Sequence, residues 1–393
     1  MTQIRLRAAD DQPGTHVLIM GVGYYRHLRG GPEQRNKVHM GLGVLGSPPI
    51  SAMALARWLI DGNGGGTGLN NPAAPLASVD ILVSSKAVEQ IVAAGAVHSI
   101  EGATLAQVRA AFDRWLDEVQ RHPKNVGVLY FCGHGVMGTG PEHILLLEDH
   151  GANANRPFEV GSFDLSNTVR ALGRQVPAQL YVFVDACRTY VRSVGERLGA
   201  GPAPLLDEGA SSGHVNRGTT LVESAAEGEP AYGDSNDVSR FTQALLQALG
   251  GYCGVPQPGS QNWLINGAAL SQAMPKLLAL VNKERGAQAQ SCAVNPSGPA
   301  DAQLHVTSQV PKVKVEIDLS PEAIRESSKF SICNLLDKTM PPIVGGQAKG
   351  VWRTETCKGV YEVRIDSSLQ ALYATGIQHL EPPHYYLPVE VQP

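Results

Sequence analysis

The sequence is poor in charge and shows no dominant sign. Only 17% of its 393 residues are Asp, Glu, Lys or Arg, against ~25% in an average soluble domain. The 32 basic residues are balanced by 36 acidic ones. That balance excludes a disordered acidic or basic tail protein and leaves no electrostatic footprint for nucleic acid. No apolar run approaches the ~18 residues that a membrane span needs, and the opening MTQIRLRAADDQPG contains no apolar signal-peptide core. No internal repeat is present. The six cysteines, at 132, 187, 253, 292, 333 and 357, form neither a C-x-x-C nor a dense disulfide spacing. They read as thiols outside disulfides, so a soluble protein of a reducing cytoplasm is expected.

At roughly 100–200 residues per domain, the length predicts two domains, or one large α/β domain with an appendage. Residues 16–25, HVLIMGVGYY, read as a strand buried on both faces. Ala52, Leu55, Ala56 and Leu59 then repeat at helical spacing, residues 79–83 read as a strand, and Leu105, Val108, Phe112, Trp115, Leu116 and Val119 form one helical stripe. Further strands are expected at 125–132, 143–147, 179–184 and 219–225, with helices at 165–172, 240–249 and 270–281. Pro275 is expected to kink the last of these or to sit in its first turn. This alternation predicts an α/β fold with a mostly parallel sheet between helices.

Residues 198–214, without aromatics, periodicity or any Lys or Arg, are expected to form a mobile surface loop. Residues 286–301, rich in Pro and Gly, read as a linker. From 302 to 393 the helical period gives way to alternation at 313–319, 329–333, 359–365 and 387–391, which predicts a small C-terminal β-sandwich.

Two strand ends carry the candidate chemistry. In Tyr130-Phe131-Cys132-Gly133-His134-Gly135 a histidine sits between two glycines, and in Val184-Asp185-Ala186-Cys187-Arg188 a cysteine follows a buried run. Both fall at the carboxyl edge of a parallel sheet, where sites normally lie. A thiol is a strong nucleophile only as thiolate, and an imidazole can take its proton and return it to a leaving amine. The glycines let a substrate approach the backbone, so the N–H groups of Gly135 and Cys187 are candidate oxyanion donors. Taken singly, each residue has a plain alternative: His134 as a loop-end histidine, Cys187 as a buried thiol. Together they match a known signature, because D-A-C-R follows His134 by 53 positions where caspases place Q-A-C-R-G about 50 residues after their histidine.

On these residues the chain resembles the caspase-like clan of cysteine peptidases, most closely prokaryotic caspase homologues and metacaspases. The matching elements are VLIMGVGYY, LYFCGHGV, LYVFVDACR, LVESAAEGEPAYG and SRFTQALLQAL, spread over residues 15–285. The resemblance implies a caspase-hemoglobinase fold, a mostly parallel six-stranded sheet between helices. It divides residues 1–300 into a large-subunit-like part to 197, the loop 198–214 and a small-subunit-like part at 215–285. It also implies a His134–Cys187 dyad acting on protein substrates, without metal or organic cofactor. Asp185 stands where caspases carry Gln. This matches the basic-specific metacaspases, so Asp185 is expected to anchor a P1 Arg or Lys, with a turn-capping carboxylate as the alternative. The second acidic residue usual near the first helix is missing from Pro49-Ile50-Ser51-Ala52, and Glu223, Glu227 and Glu229 are candidate substitutes. Family members often mature by cutting the loop after the cysteine. Arg192, Arg197 and Arg217 flank that loop as candidate cutting points, for self-cleavage or for an upstream activating protease, with ordinary surface charges as the alternative. Bacterial relatives often serve defence or cell death. A catalytically silent scaffold acting through protein contacts is the competing expectation.

Other motifs are weak. Gly41-x-Gly43-x-x-Gly46 fits a dinucleotide pattern, but no strand precedes it and Pro48-Pro49 is expected to break any helix after it. His143 and His150, near Glu148 and Asp149, lack zincin spacing and read as a satisfied surface cluster. Neither Glu148-Asp149 nor Asp234 with Asp237 matches a calcium loop.

Overall fold

The computed structural model describes residues 2–7, 11–33, 40–62, 68–137, 142–176, 178–190, 201–209, 218–225, 236–286, 290–298, 302–367 and 370–390, the backbone alone at 367 and 370–375. The chain divides into two compact units, one formed by 1–246 with 266–306 and the other by 247–265 with 307–393.

In the first unit the strands are β1 (Gln3–Arg5), β2 (Thr15–Val22), β3 (Leu76–Ser84), a hairpin of β4 (Gln90–Ala93) and β5 (Ala96–Ser99), β6 (Val126–Cys132), β7 (Gly135–Met137), β8 (His143–Leu146), β9 (Ser162–Asp164), β10 (Gln179–Asp185), β11 (Thr189–Tyr190) and β12 (Thr219–Glu223). The second unit contains β13 (Val255–Pro256) and β14 (Trp263–Ile265), after which the chain returns to the first for β15 (Ala293–Ser297). The helices are α1 (Ser47–Asp61), α2 (Leu105–Gln120), α3 (Leu165–Gln175), α4 (Arg240–Gln247) and α5 (Gly267–Glu284).

The main sheet runs β1-β3-β2-β6-β10-β12-β15. Its five central strands are parallel and its two edge strands antiparallel. It therefore has seven strands rather than six. Every residue of β2, β6 and β10 is buried, as continuous apolar runs covered on both faces require. The stripe expected on α2 is buried except for Leu116, which is half-buried, and Trp115 Nε1 donates to the His16 carbonyl at 3.0 Å. A capping box at Thr104 and Gln107 starts that helix.

Several expectations are corrected. Pro48 and Pro49 do not break a helix but begin one: both lie in the first turn of α1, where a missing N–H costs nothing. Of the two alternatives for Pro275, the first-turn position does not hold, because Pro275 lies well inside α5. The segment read as a linker supplies β15, whose Pro296 is tolerable because an edge strand has one unpaired side. Within the loop expected to be mobile, residues 201–209 are docked: Leu205 N–H donates to Thr168 Oγ1 at 2.9 Å, Glu208 pairs with Arg170 and Arg174, and Leu205 and Leu206 pack on the core.

Beyond β16 (His305–Thr307), the second unit contains β17 (Lys312–Ser320), β18 (Ser328–Asn334), β19 (Ile343–Gly346), β20 (Trp352–Cys357), β21 (Gly359–Ser367), β22 (Gln370–Leu380) and β23 (His384–Glu390). They form two sheets, β20-β17-β23 and β19-β18-β21-β22. Val313, Val315 and Ile317 of one meet Phe330, Ile332 and Val363 of the other in a single core. That is the expected β-sandwich, with alternating residues turned inward.

Candidate active site

β6 and β10 end side by side, with Asp185 opposite Cys132. Past the strand ends both chains pair again at once, Thr189 of β11 opposite Val136 of β7, still parallel. The partner offset is 53 residues on both sides of the gap. His134 and Cys187, also 53 apart, therefore occupy the same step between two registered ladders. A Gly133 N–H to Asp185 carbonyl bond of 3.1 Å closes the junction.

His134 is 8% exposed and held on two sides. Its backbone N–H donates to the Tyr25 hydroxyl at 2.8 Å, and the two rings lie 4.9 Å apart, tilted. Its Nε2 is 2.7 Å from the Gly43 carbonyl. A carbonyl can only accept, so Nε2 carries the hydrogen and Nδ1 keeps its lone pair. Burial lowers the ring's pKa to about 4, which the Gly43 bond opposes only in part, so the ring is neutral near pH 7. It is thus equipped to accept a proton. Neither Gly43 nor Tyr25 was recognised from the sequence as a partner of this histidine. Gly43 contributes only a backbone oxygen, which no side-chain type signals, and it lies in the Gly41-x-Gly43-x-x-Gly46 run.

The two cysteines at the junction differ in environment. The Cys132 thiol is fully buried and its pKa is pushed far up by burial and by Asp185, which makes it a poor nucleophile. Cys187 is half-buried. Burial also raises Cys253 and Cys292, each to about 12. None of the six cysteines, all of them described, is in a disulfide.

Gly135 is required by space. A Cβ there would lie 2.5 Å from the Cys187 carbonyl oxygen and 2.6 Å from His143 Nε2. Gly135→Ala is therefore expected to cost ~1–3 kcal/mol in denaturant unfolding, because the backbone behind the cysteine must shift. Unchanged stability would show that the contact yields freely.

Asp185 is 4% exposed at the end of β10. One carboxylate oxygen accepts from Ser239 Oγ, from Thr242 Oγ1 at 3.0 Å and from Cys132 Sγ at 3.4 Å. Burial raises its pKa against these bonds. No cation among the described residues forms an ion pair with it.

The histidines read as a surface cluster are both buried. His150 is enclosed with neither ring nitrogen hydrogen-bonded, and its pKa is lowered to about 3 by burial, with smaller contributions from His134 and His27. His143 lies directly behind Cys187: Nε2 is 3.0 Å from the Cys187 carbonyl and Nδ1 is 3.1 Å from Glu223 Oε1. The other oxygen of Glu223 accepts from Arg188 at 2.9 Å. Of the acidic candidates, Glu223 is thus committed to this pair. Glu227, Glu229 and Asp234, like Arg192, Arg197 and Arg217, lie outside the described residues. Glu148 pairs with Arg26 at 2.7 Å and accepts from Ser84, Asp149 accepts from the first N–H of α2, and Asp237 pairs with Arg285.

The chain is 29% identical over 250 residues to an uncharacterised protein, y4kE, of Sinorhizobium fredii, covering 63% of this chain and 71% of that one. Among solved structures, a Geobacter sulfurreducens structural-genomics protein matches with a TM-score of 0.43 at 15% identity, covering 75% of this chain and 97% of the other. Caspase-1 from Spodoptera frugiperda matches with a TM-score of 0.39 at 11% identity, covering 73% and 87%. The caspase domain family matches residues 52–293, well over half of the sequence and a span that includes both junction residues. With that match, the chain belongs to the caspase domain family of cysteine peptidases.

Proposed function

We propose that the chain is a cysteine endopeptidase in which Cys187 is the nucleophile and His134 the general base and then acid. The observation that supports this reading is the common register on both sides of the junction, which sets Cys187 at the same step as His134, a neutral imidazole whose Nε2 is already engaged. Nδ1 takes the thiol proton, the thiolate attacks the substrate carbonyl carbon, and the C–N bond breaks as Nδ1–H protonates the leaving amine. Water then hydrolyses the thioester, with Nδ1 as base once more. Gly135 and Cys187 N–H are the oxyanion donors in this reading. Because the His134 carbonyl takes the Leu146 N–H, ladder alternation turns the Gly135 N–H away from β8 and toward the Cys187 side of the junction. No metal or organic cofactor enters any step.

Asp185 is the S1 anchor in the same reading, with Arg preferred over Lys at P1. A buried carboxylate satisfied only by neutral donors gains most from an arriving guanidinium, which can bind it in two-pronged fashion. Asp185→Asn preserves the acceptor for Ser239 and Thr242 and removes the charge. In a fluorogenic panel with Arg, Lys, Asp and Ala at P1, it is expected to lower kcat/KM for Arg by about 100-fold and leave Ala within a few-fold. An unchanged Arg preference, or Asp preference in the wild type, would refute this anchor while sparing the dyad.

Activation by cutting at Arg192, Arg197 or Arg217 and a cytoplasmic setting in bacterial defence or cell death extend the reading by family analogy. The C-terminal sandwich is taken as a regulatory or targeting module.

A further inference from the structure

The His143 ring lies between two hydrogen-bond acceptors. The Cys187 carbonyl at Nε2 can only accept. Glu223 at Nδ1 gives its other oxygen to the Arg188 guanidinium. Both contacts are satisfied together only when both ring nitrogens carry hydrogen. The charged and titratable groups around this ring and its partner are Glu223 on β12, Cys187 and Arg188 after β10, and Cys292 ahead of β15, which lies within electrostatic range of both Glu223 and the Asp185 carboxylate at the end of β10. Ser166 on α3 takes the His143 backbone N–H at 2.9 Å.

We propose that His143, held as an imidazolium between Glu223 and the Cys187 carbonyl, is a positioning residue that fixes the nucleophile's peptide and favours its thiolate. A positive charge one peptide from the sulfur lowers the proton affinity of a thiol. The bond to the carbonyl pins the Cys187–Arg188 peptide against Gly135, where no side chain fits. The kinetic consequence rests on the peptidase reading; the charge state and the effect on the thiol do not.

The test is the pH dependence of iodoacetamide alkylation at Cys187, read by mass spectrometry on the full chain. His143→Gln can still donate to the Cys187 carbonyl but carries no charge. It is expected to move the alkylation midpoint up by about one pH unit and to lower kcat about 10-fold with KM within about twofold. Glu223→Gln lets a neutral ring donate through Nε2 and accept at Nδ1, with Arg188 still cationic, and is expected to shift the midpoint by less than half as much. A wild-type alkylation profile in His143→Gln would overturn the proposal. Nitrogen NMR of ¹⁵N-histidine-labelled wild type provides a reading that needs no His143 variant. The resonance pair that changes in Glu223→Gln must report two protonated nitrogens near pH 7, and a neutral tautomer there would equally overturn the proposal. A wild type that alkylates as expected and hydrolyses no peptide would count against the peptidase reading alone.

Discussion

Replacing Cys187 by Ala, or His134 by Ala, is expected to lower peptide hydrolysis by ~10⁴-fold or more, and the double replacement to cost little beyond either single one. The two residues act as a unit, since a thiol without a base and a base without a thiol each leave the bond-forming step without its thiolate. Folding is expected to survive, because the junction is held by backbone pairing and by the Gly133 to Asp185 bond rather than by these side chains. Additive losses would mean that one of the two acts elsewhere in the site.

Lowering the pH from 7 to 5 is expected to remove several kcal/mol of stability from the first unit. His16, His134 and His305 have pKa values lowered to about 4, and His150 to about 3, in each case chiefly by burial. Their unfolded values lie near 6.5, so between ~4 and 6.5 the unfolded chain binds more protons and stability falls as pH falls. At pH 5 each histidine costs about 2 kcal/mol, and four together approach the ~5–15 kcal/mol total of a typical domain. Buried Asp80, Asp164 and Asp185 and half-buried Asp149, whose pKa values are raised by desolvation, act in the opposite sense and soften the loss at the acid end. Denaturant unfolding at the two pH values, at constant ionic strength, checks this. A flat profile would contradict the neutral burial of these rings.

The sequence reveals what depends on long apolar runs and fixed spacing. β2, β6 and β10 announce themselves as uninterrupted buried segments, and the 53-residue interval that suggests the dyad reappears as the register of two ladders. Short pairings are hidden: β7, β9 and β11 have two or three residues each, too few to show a period. β15 carries Pro296 and reads as a linker because edge strands tolerate what central strands forbid. Prolines that begin α1 have the same appearance in a sequence as prolines that end a helix. Supporting groups are hidden for another reason. The His134 partner on Gly43 is backbone, and His143 meets Glu223 across 80 residues of chain, so only the assembled sheet brings them together.

The central claim, that Cys187 is a nucleophile activated by His134, is tested most directly by covalent labelling. A peptidyl acyloxymethyl ketone with Arg at P1 would be incubated with the full chain, with the loop after Cys187 intact and after limited cutting, and the adduct located by mass spectrometry. The predicted result is a single adduct on Cys187, lost in His134→Ala. Labelling of another cysteine, equal labelling without His134, or no adduct in either form would contradict it and favour a scaffold that keeps the fold without the chemistry.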